Sequence, residues 1–170
     1  VGQGNVTKSP DQATYTYSSS VQLTALPQSG WSFSSWSGDL SGSTNPTTIT
    51  MNGNRTVTAT FTIVHTLTMA VSGSGSTTPA VGSYSYAEGS VVAISASPAT
   101  GWHFSNWTGG VANPNSSSTT VTMDADKTVT ANFAQDQYTL TINIVGQGNV
   151  TKSPDQATYT YGSSVQLTAV

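Results

Sequence analysis

Two histidines, His65 and His103, are the residues best suited to acid–base or metal chemistry in this sequence. The chain repeats itself, so each can be checked against its own copy. His65 stands where a later copy has Tyr138, and His103 where an earlier copy has Ser32. A base or ligand that one copy replaces with Tyr or Ser is not essential, and neither histidine has a His, Asp or Glu companion at zinc-ligand spacing. The carboxylates are Asp11, Asp39, Glu88, Asp124, Asp126, Asp136 and Asp155. A glycosidase needs two of them across a cleft. No pair recurs, because Asp39 aligns with Gly110, and Asp124 and Asp126 align with Asn52 and Asn54. Asp124-Ala125-Asp126 falls short of the six to eight oxygens that Ca²⁺ takes and reads as a turn that accepts Asp or Asn alike. Serine is abundant, but no G-x-S-x-G is present. The Gly-x-Gly triplets at Gly2, Gly73 and Gly146 lack a third glycine and a following helix, so they read as hairpin or bulge, not phosphate loop. A Lys–Asn isopeptide staple is disfavoured, since Lys127 is Arg55 in repeat A and repeat B has no counterpart of Lys8. The expectation is a non-enzyme with no catalytic residue, no cofactor and no metal.

Composition sets the next bounds. The chain has 170 residues, of which only 6% are charged, with 4 Lys+Arg against 7 Asp+Glu. There is no basic footprint for a nucleic acid and no apolar run long enough for a membrane-spanning helix. With no cysteine, disulfides and thiolate metal sites are unavailable. Neither an initiating Met nor a signal or lipidation motif is present, so the sequence reads as a piece of a longer chain. Serine and threonine account for 55 of the 170 residues. Such a polar chain could be disordered, but the 4 Trp, 7 Tyr and 4 Phe are regularly placed, as a packed core requires. Low charge with abundant Thr, Val and Tyr reads as β-sheet with polar faces.

The elements that would position these residues are repeats. Residues 1–25 return at 145–169 with one change, Ser18 to Gly162, at an offset of 144. Inside that period GWSFSSWSG (30–38) returns as GWHFSNWTG (101–109), and TITMNGNRTVTATF (48–61) as TVTMDADKTVTANF (120–133). HTLTMAV (65–71) returns as YTLTINI (138–144). The unit is therefore about 72 residues: repeat A over 1–63 without its first strand, repeat B complete over 65–134, and the first part of repeat C over 138–170. Only three or four residues separate successive units, which leaves little room for free tumbling.

Alternation with period two gives the strands. Tyr138, Leu140, Ile142 and Ile144 share a face, as do Val21, Leu23 and Ala25, and Val57, Ala59 and Phe61. Tyr15 and Tyr17 mark a further strand, and Ile49 and Met51 a short one. Ser9-Pro10-Asp11, Gln28-Ser29-Gly30, Asn45-Pro46 and Asn52-Gly53 mark turns. Six or seven short strands per repeat and almost no helix follow.

The succession Tyr15, Tyr17, Val21, Leu23, Pro27, Gly30, Trp31, Phe33, Trp36, Gly38, Met51, Val57, Phe61 recurs as Tyr84, Tyr86, Val92, Ile94, Pro98, Gly101, Trp102, Phe104, Trp107, Gly109, Met123, Val129, Phe133. In order and spacing it resembles the divergent internalin-B-type repeat of bacterial surface proteins. The resemblance implies an all-β fold of tandem small β-sheet units, β-grasp-like without much helix, with an immunoglobulin-like sandwich as the alternative topology. It also implies extracellular spacer, stalk or adhesion work rather than catalysis.

The tryptophans could form a sugar-stacking platform. In units this small they read instead as core, giving Trp31, Phe33, Trp36, Phe61, Trp102, Phe104, Trp107 and Phe133 as structural residues. Sequons make Asn5, Asn54, Asn106, Asn115 and Asn149 candidate glycosylation sites. The expected function is a structural repeat segment of a secreted or cell-surface fibre, stalk or adhesin, with a carbohydrate-binding module as the alternative. Partners would be neighbouring repeats or identical chains, with glycans as further candidates. Weakly charged sheet edges are expected to pair between units. The ends fall inside units, which suggests either one period of a long array or a short chain whose 138–144 completes residues 1–63 of the next molecule.

Overall fold

The computed structural model describes residues 2–170. Among them every regular element is a strand and none is a helix. Thr and Ser at alternate positions outside, with branched or aromatic residues inside, suit a pleated half-buried surface.

The first strands are β1 (Gly4–Ser9), β2 (Ser19–Pro27), β3 (Trp31–Gly38), β4 (Thr47–Met51) and the long β5 (Val57–Ser72). β1, β2 and β4 form an antiparallel sheet in that order, and β3 pairs antiparallel with β5. The inward residues of both sheets make one core: Val21, Leu23 and Ala25 from β2, Ile49 from β4, Trp36 from β3, and Ala59 and Phe61 from β5. β5 includes Thr62–Val64, which the sequence places between units, so these residues are strand rather than linker.

The next strands are β6 (Gly75–Thr78), β7 (Gly82–Ala87), β8 (Val91–Pro98), β9 (Trp102–Thr108), β10 (Ser118–Thr122) and β11 (Lys127–Gln135). They repeat the plan: β6, β8 and β10 form one sheet, with β8 in the middle, and β9 pairs with β11. β7 pairs with β5. The last strands are β12 (Gln137–Tyr138), β13 (Val150–Ser153), β14 (Tyr159–Thr160) and β15 (Gln166–Ala169), joined as the pairs β12–β14 and β13–β15.

The chain divides into two compact units. One takes in residues up to Leu67 with Tyr84–Ser90 and Met123–Asp126. The other takes in Thr68–Ser83, Val91–Thr122 and Lys127–Val170.

Two expected strands are not formed, for one reason. Residues 11–18, which include Tyr15 and Tyr17, are irregular, whereas Tyr84 and Tyr86 lie in β7. Beyond Tyr138, residues 139–149 are irregular too, although the copy of 139–144 lies in β5. β7 and the later part of β5 have each other as partners. Among the described residues, 11–18 and 139–149 have no such ladder, and a lone strand leaves its backbone groups to water.

Candidate functional site

The aromatic residues are brought together by a bulge. Trp31 and Phe33 are two apart and share a face, but strict alternation would send Trp36 to the other side. In the ladder Phe33 faces Phe61 and Ser35 faces Thr60, so Ser34 is an extra residue. Phe104 faces Phe133 and Asn106 faces Asn132, which makes Ser105 the equivalent extra residue. Each bulge turns the following Trp inward. Phe33 and Trp36 ring centroids are then 5.0 Å apart, and Phe33 meets Phe61 edge-on at 6.1 Å. The other set gives 5.6 Å for Phe104–Trp107 and 6.1 Å for Phe104–Phe133. Trp36, Phe61, Trp107 and Phe133 are buried, while Trp31, Phe33, Trp102 and Phe104 are half-buried. Indole N–H groups are satisfied: Trp36 Nε1 donates to Thr44 O at 3.0 Å and Trp107 Nε1 to Ser116 O at 2.9 Å.

Glycines hold the Phe rings in place. A Cβ on Gly4 would sit 2.6 Å from the Phe61 ring, and one on Gly75 would sit 2.5 Å from the Phe133 ring. Only a residue without a side chain lets β1 and β6 cross these rings.

Each histidine has a carboxylate beside it that sequence spacing did not reveal, because the partners are far apart along the chain. His103 Nδ1 lies 2.7 Å from Asp136 Oδ1, and His65 Nδ1 lies 3.8 Å from Asp126 Oδ1. His65 Nε2 is buried without a hydrogen-bond partner. The isolation expected of both histidines is thus corrected by the fold, although no group of three or more potential metal ligands forms among the described residues. Asp126 has a second role: its Oδ1 accepts from Thr66 N at 2.7 Å.

The charged residues work locally. Thr56 N donates to Asp39 Oδ2 at 2.6 Å, and Arg55 Nη1 donates to Asp39 Oδ1 at 3.1 Å. The Thr56 amide first, then Arg55, hold the Asp39 carboxyl below its usual range. Lys8 pairs with Asp11 at 3.0 Å and lies over the Tyr15 ring, whose hydroxyl donates to Pro10 O at 2.9 Å. The copy is built alike: Lys152 pairs with Asp155 at 2.9 Å, lies over Tyr159, and Tyr159 donates to Pro154 O at 3.0 Å. Asp11 and Asp155 each raise the pKa of their lysine by hydrogen bonding to its ammonium group. Among the sequons, Asn5, Asn54, Asn115 and Asn149 are exposed, and Asn106 is half-buried in β9 with Nδ2 donating to Trp107 O at 3.2 Å.

An open groove of about 830 Å³ lies in repeat A. Val6, Tyr15, Tyr17, Met51, Asn54 and Val57 are among the residues that line it. Tyr17 is 81% exposed, and Met51 and Val57 are half-buried. Their counterparts in repeat B, Met123 and Val129, are both 0% exposed. The groove therefore lies over a core that repeat B encloses. Sequence reasoning did not single it out, because its lining comes from every strand of the repeat.

Small sheets packed face to face in tandem, each around a bulge-set aromatic core, define an all-β repeat protein. The profile of the divergent InlB B-repeat domain matches residues 1–65 and again residues 65–137. The chain belongs to that family. No curated protein matches it, and neither does any solved structure.

Proposed function

We propose that this chain is a structural repeat segment of a secreted or cell-surface fibre, stalk or adhesin, which extends or spaces and does not catalyse. One observation carries the reading: two family copies cover residues 1–137, and they share their core while differing in polar residues. Trp36, Phe61 and Ile49 recur as Trp107, Phe133 and Val121, whereas His103, Asp39 and Asp126 have Ser32, Gly110 and Asn54 as counterparts. A shared core with unshared polar chemistry is the pattern of a repeat valued for its shape. On this reading the partners are neighbouring copies, and membership of a repeat family of bacterial surface proteins supports a location outside the cell. Antibody against the chain should label intact source cells or their shed filaments. Labelling only after permeabilisation would overturn the reading.

A second reading rests on a shallow cleft of about 510 Å³ lined by Trp31, Phe33, Thr62, Val64 and their neighbours. An open aromatic floor of this kind suits a sugar ring. Quenching or shift of tryptophan emission on adding glycans favours it, and unchanged emission across a glycan panel removes it.

A further inference from the structure

The turn between β4 and β5 reads Asn52-Gly53-Asn54-Arg55, and the same turn in repeat B reads Asp124-Ala125-Asp126-Lys127. Asn52 is the one asparagine in the sequence that is followed by glycine. Asn52 and Gly53 are exposed, and a carbon added at Gly53 would meet nothing within 4 Å. Asp124 and Ala125 are exposed too, in a repeat whose Met123 and Val129 are fully enclosed. The turn is thus open to water whether or not the core beside it is covered.

Arg55 gives this turn its chemistry. Arg55 Nη2 donates to Asn52 Oδ1, the carbonyl oxygen of the side-chain amide. The guanidinium is held from its other arm, where Nη1 donates to Asp39 Oδ1 at 3.1 Å. Thr56 N donates to Asp39 Oδ2 at 2.6 Å and so fixes the carboxylate in turn. A cation on a carbonyl oxygen makes its carbon more open to attack and stabilises the negative charge that attack puts on the oxygen. The nucleophile next in the chain is the Gly53 nitrogen, which no side chain hinders. We infer that Asn52 is a site of spontaneous deamidation, assisted by Arg55, which converts the turn of repeat A towards the acidic turn that repeat B carries.

The reaction needs only water. The Gly53 nitrogen bonds to Asn52 Cγ and gives up its proton. The Cγ–Nδ2 bond breaks, and the amide nitrogen leaves as ammonia with that proton. Water then opens the cyclic imide at one of its two carbonyls. Breaking the bond from Cγ to the Gly53 nitrogen yields aspartate. Breaking the original peptide bond yields isoaspartate, whose backbone runs through Cγ. Aspartate sets a carboxylate beside Arg55, at the position that repeat B fills with Asp124.

The test uses the freshly prepared full chain, held in mildly alkaline buffer and sampled over days. Peptide mapping by mass spectrometry locates the amide lost, and chromatography separates aspartate from isoaspartate. The expected result is modification at Asn52 ahead of every other asparagine, faster in the folded chain than in denaturant. Arg55→Gln should slow it about tenfold in the folded chain, against about a hundredfold or more for removing such a donor from a closed active site. In denaturant the two chains should react alike. Asp39→Asn, which loosens the guanidinium without removing it, should slow the folded chain in the same direction by less. It also keeps the inference testable if Arg55→Gln fails to fold, which circular dichroism reads. Three outcomes overturn the proposal: Asn52 intact in the folded chain while it reacts in denaturant, a folded Arg55→Gln that reacts at the wild-type rate, or a slowing by Arg55→Gln that is equal in denaturant.

Discussion

Repeats A and B carry the same aromatic residues on the same bulged hairpin, yet one core is enclosed and the other lies under a groove. Val57 and Met51 are half-buried, while Val129 and Met123 are fully enclosed. The ladders, the bulges at Ser34 and Ser105 and the Gly–Phe contacts are the same in both. The difference lies in the first strand: Leu67 and Met69 are fully buried in the family's second copy, and the first copy has no equivalent among the described residues.

The largest test of this comparison is removal of the inward tryptophans. Trp107→Ala should cost about 3–5 kcal/mol, and Trp36→Ala should cost less, because the core beside it already opens to water. Denaturant unfolding of the full chain measures both. Equal losses would mean that the groove has no bearing on the stability of repeat A.

Next come the glycines that face the Phe rings. Gly4→Ala and Gly75→Ala should each cost about 1–3 kcal/mol through overpacking. The nearest ring atoms are 2.6 and 2.5 Å from the added carbon, so the two losses should match. A large mismatch would show that the two hairpins are not held in the same way.

A smaller effect belongs to the one difference between residues 1–25 and their copy. Ser18 has φ 64°, while Gly89 and Gly162, at the same turn, have φ 78°. A left-handed conformation costs a non-glycine residue about 1 kcal/mol or more. Ser18→Gly should therefore stabilise the chain by about 1 kcal/mol and Gly89→Ser should destabilise it similarly, both read from the midpoint of unfolding.

The smallest is a pH effect confined to repeat A. Asp39 is held below its ordinary value of 3.8 by the Thr56 amide and Arg55. A carboxyl depressed in the folded state adds stability above the unfolded value and loses it as pH falls through the folded one. The wild type should thus lose stability below about pH 4 more steeply than Asp39→Asn. Identical acid profiles for the two would show that the pairing is energetically silent.

Much of this was legible in the residues. Period-two alternation identified the strands because a half-buried sheet needs it, and recurrence at about 72 residues identified the repeat unit. The same alternation misjudged Tyr15, Tyr17 and residues 139–144, since a pattern states which face a strand would bury but not whether a partner exists to pair with. The histidines show the converse. Asp126 and Asp136 are invisible as companions of His65 and His103 because they come from far along the chain, and only the fold brings them near.

By itself, then, the sequence determined the all-β class, the period, the turns and the aromatic positions, because those depend on local periodicity and on comparison of copies. The sequence read Trp36 and Trp107 as core, and the tertiary structure supplied the means, a bulge at Ser34 and Ser105, since a bulge is a property of two paired strands. The tertiary structure alone decided which residues are enclosed, because burying Met123 and Val129 while Met51 and Val57 lie beside a groove depends on packing between strands, not on the residue types that line the core.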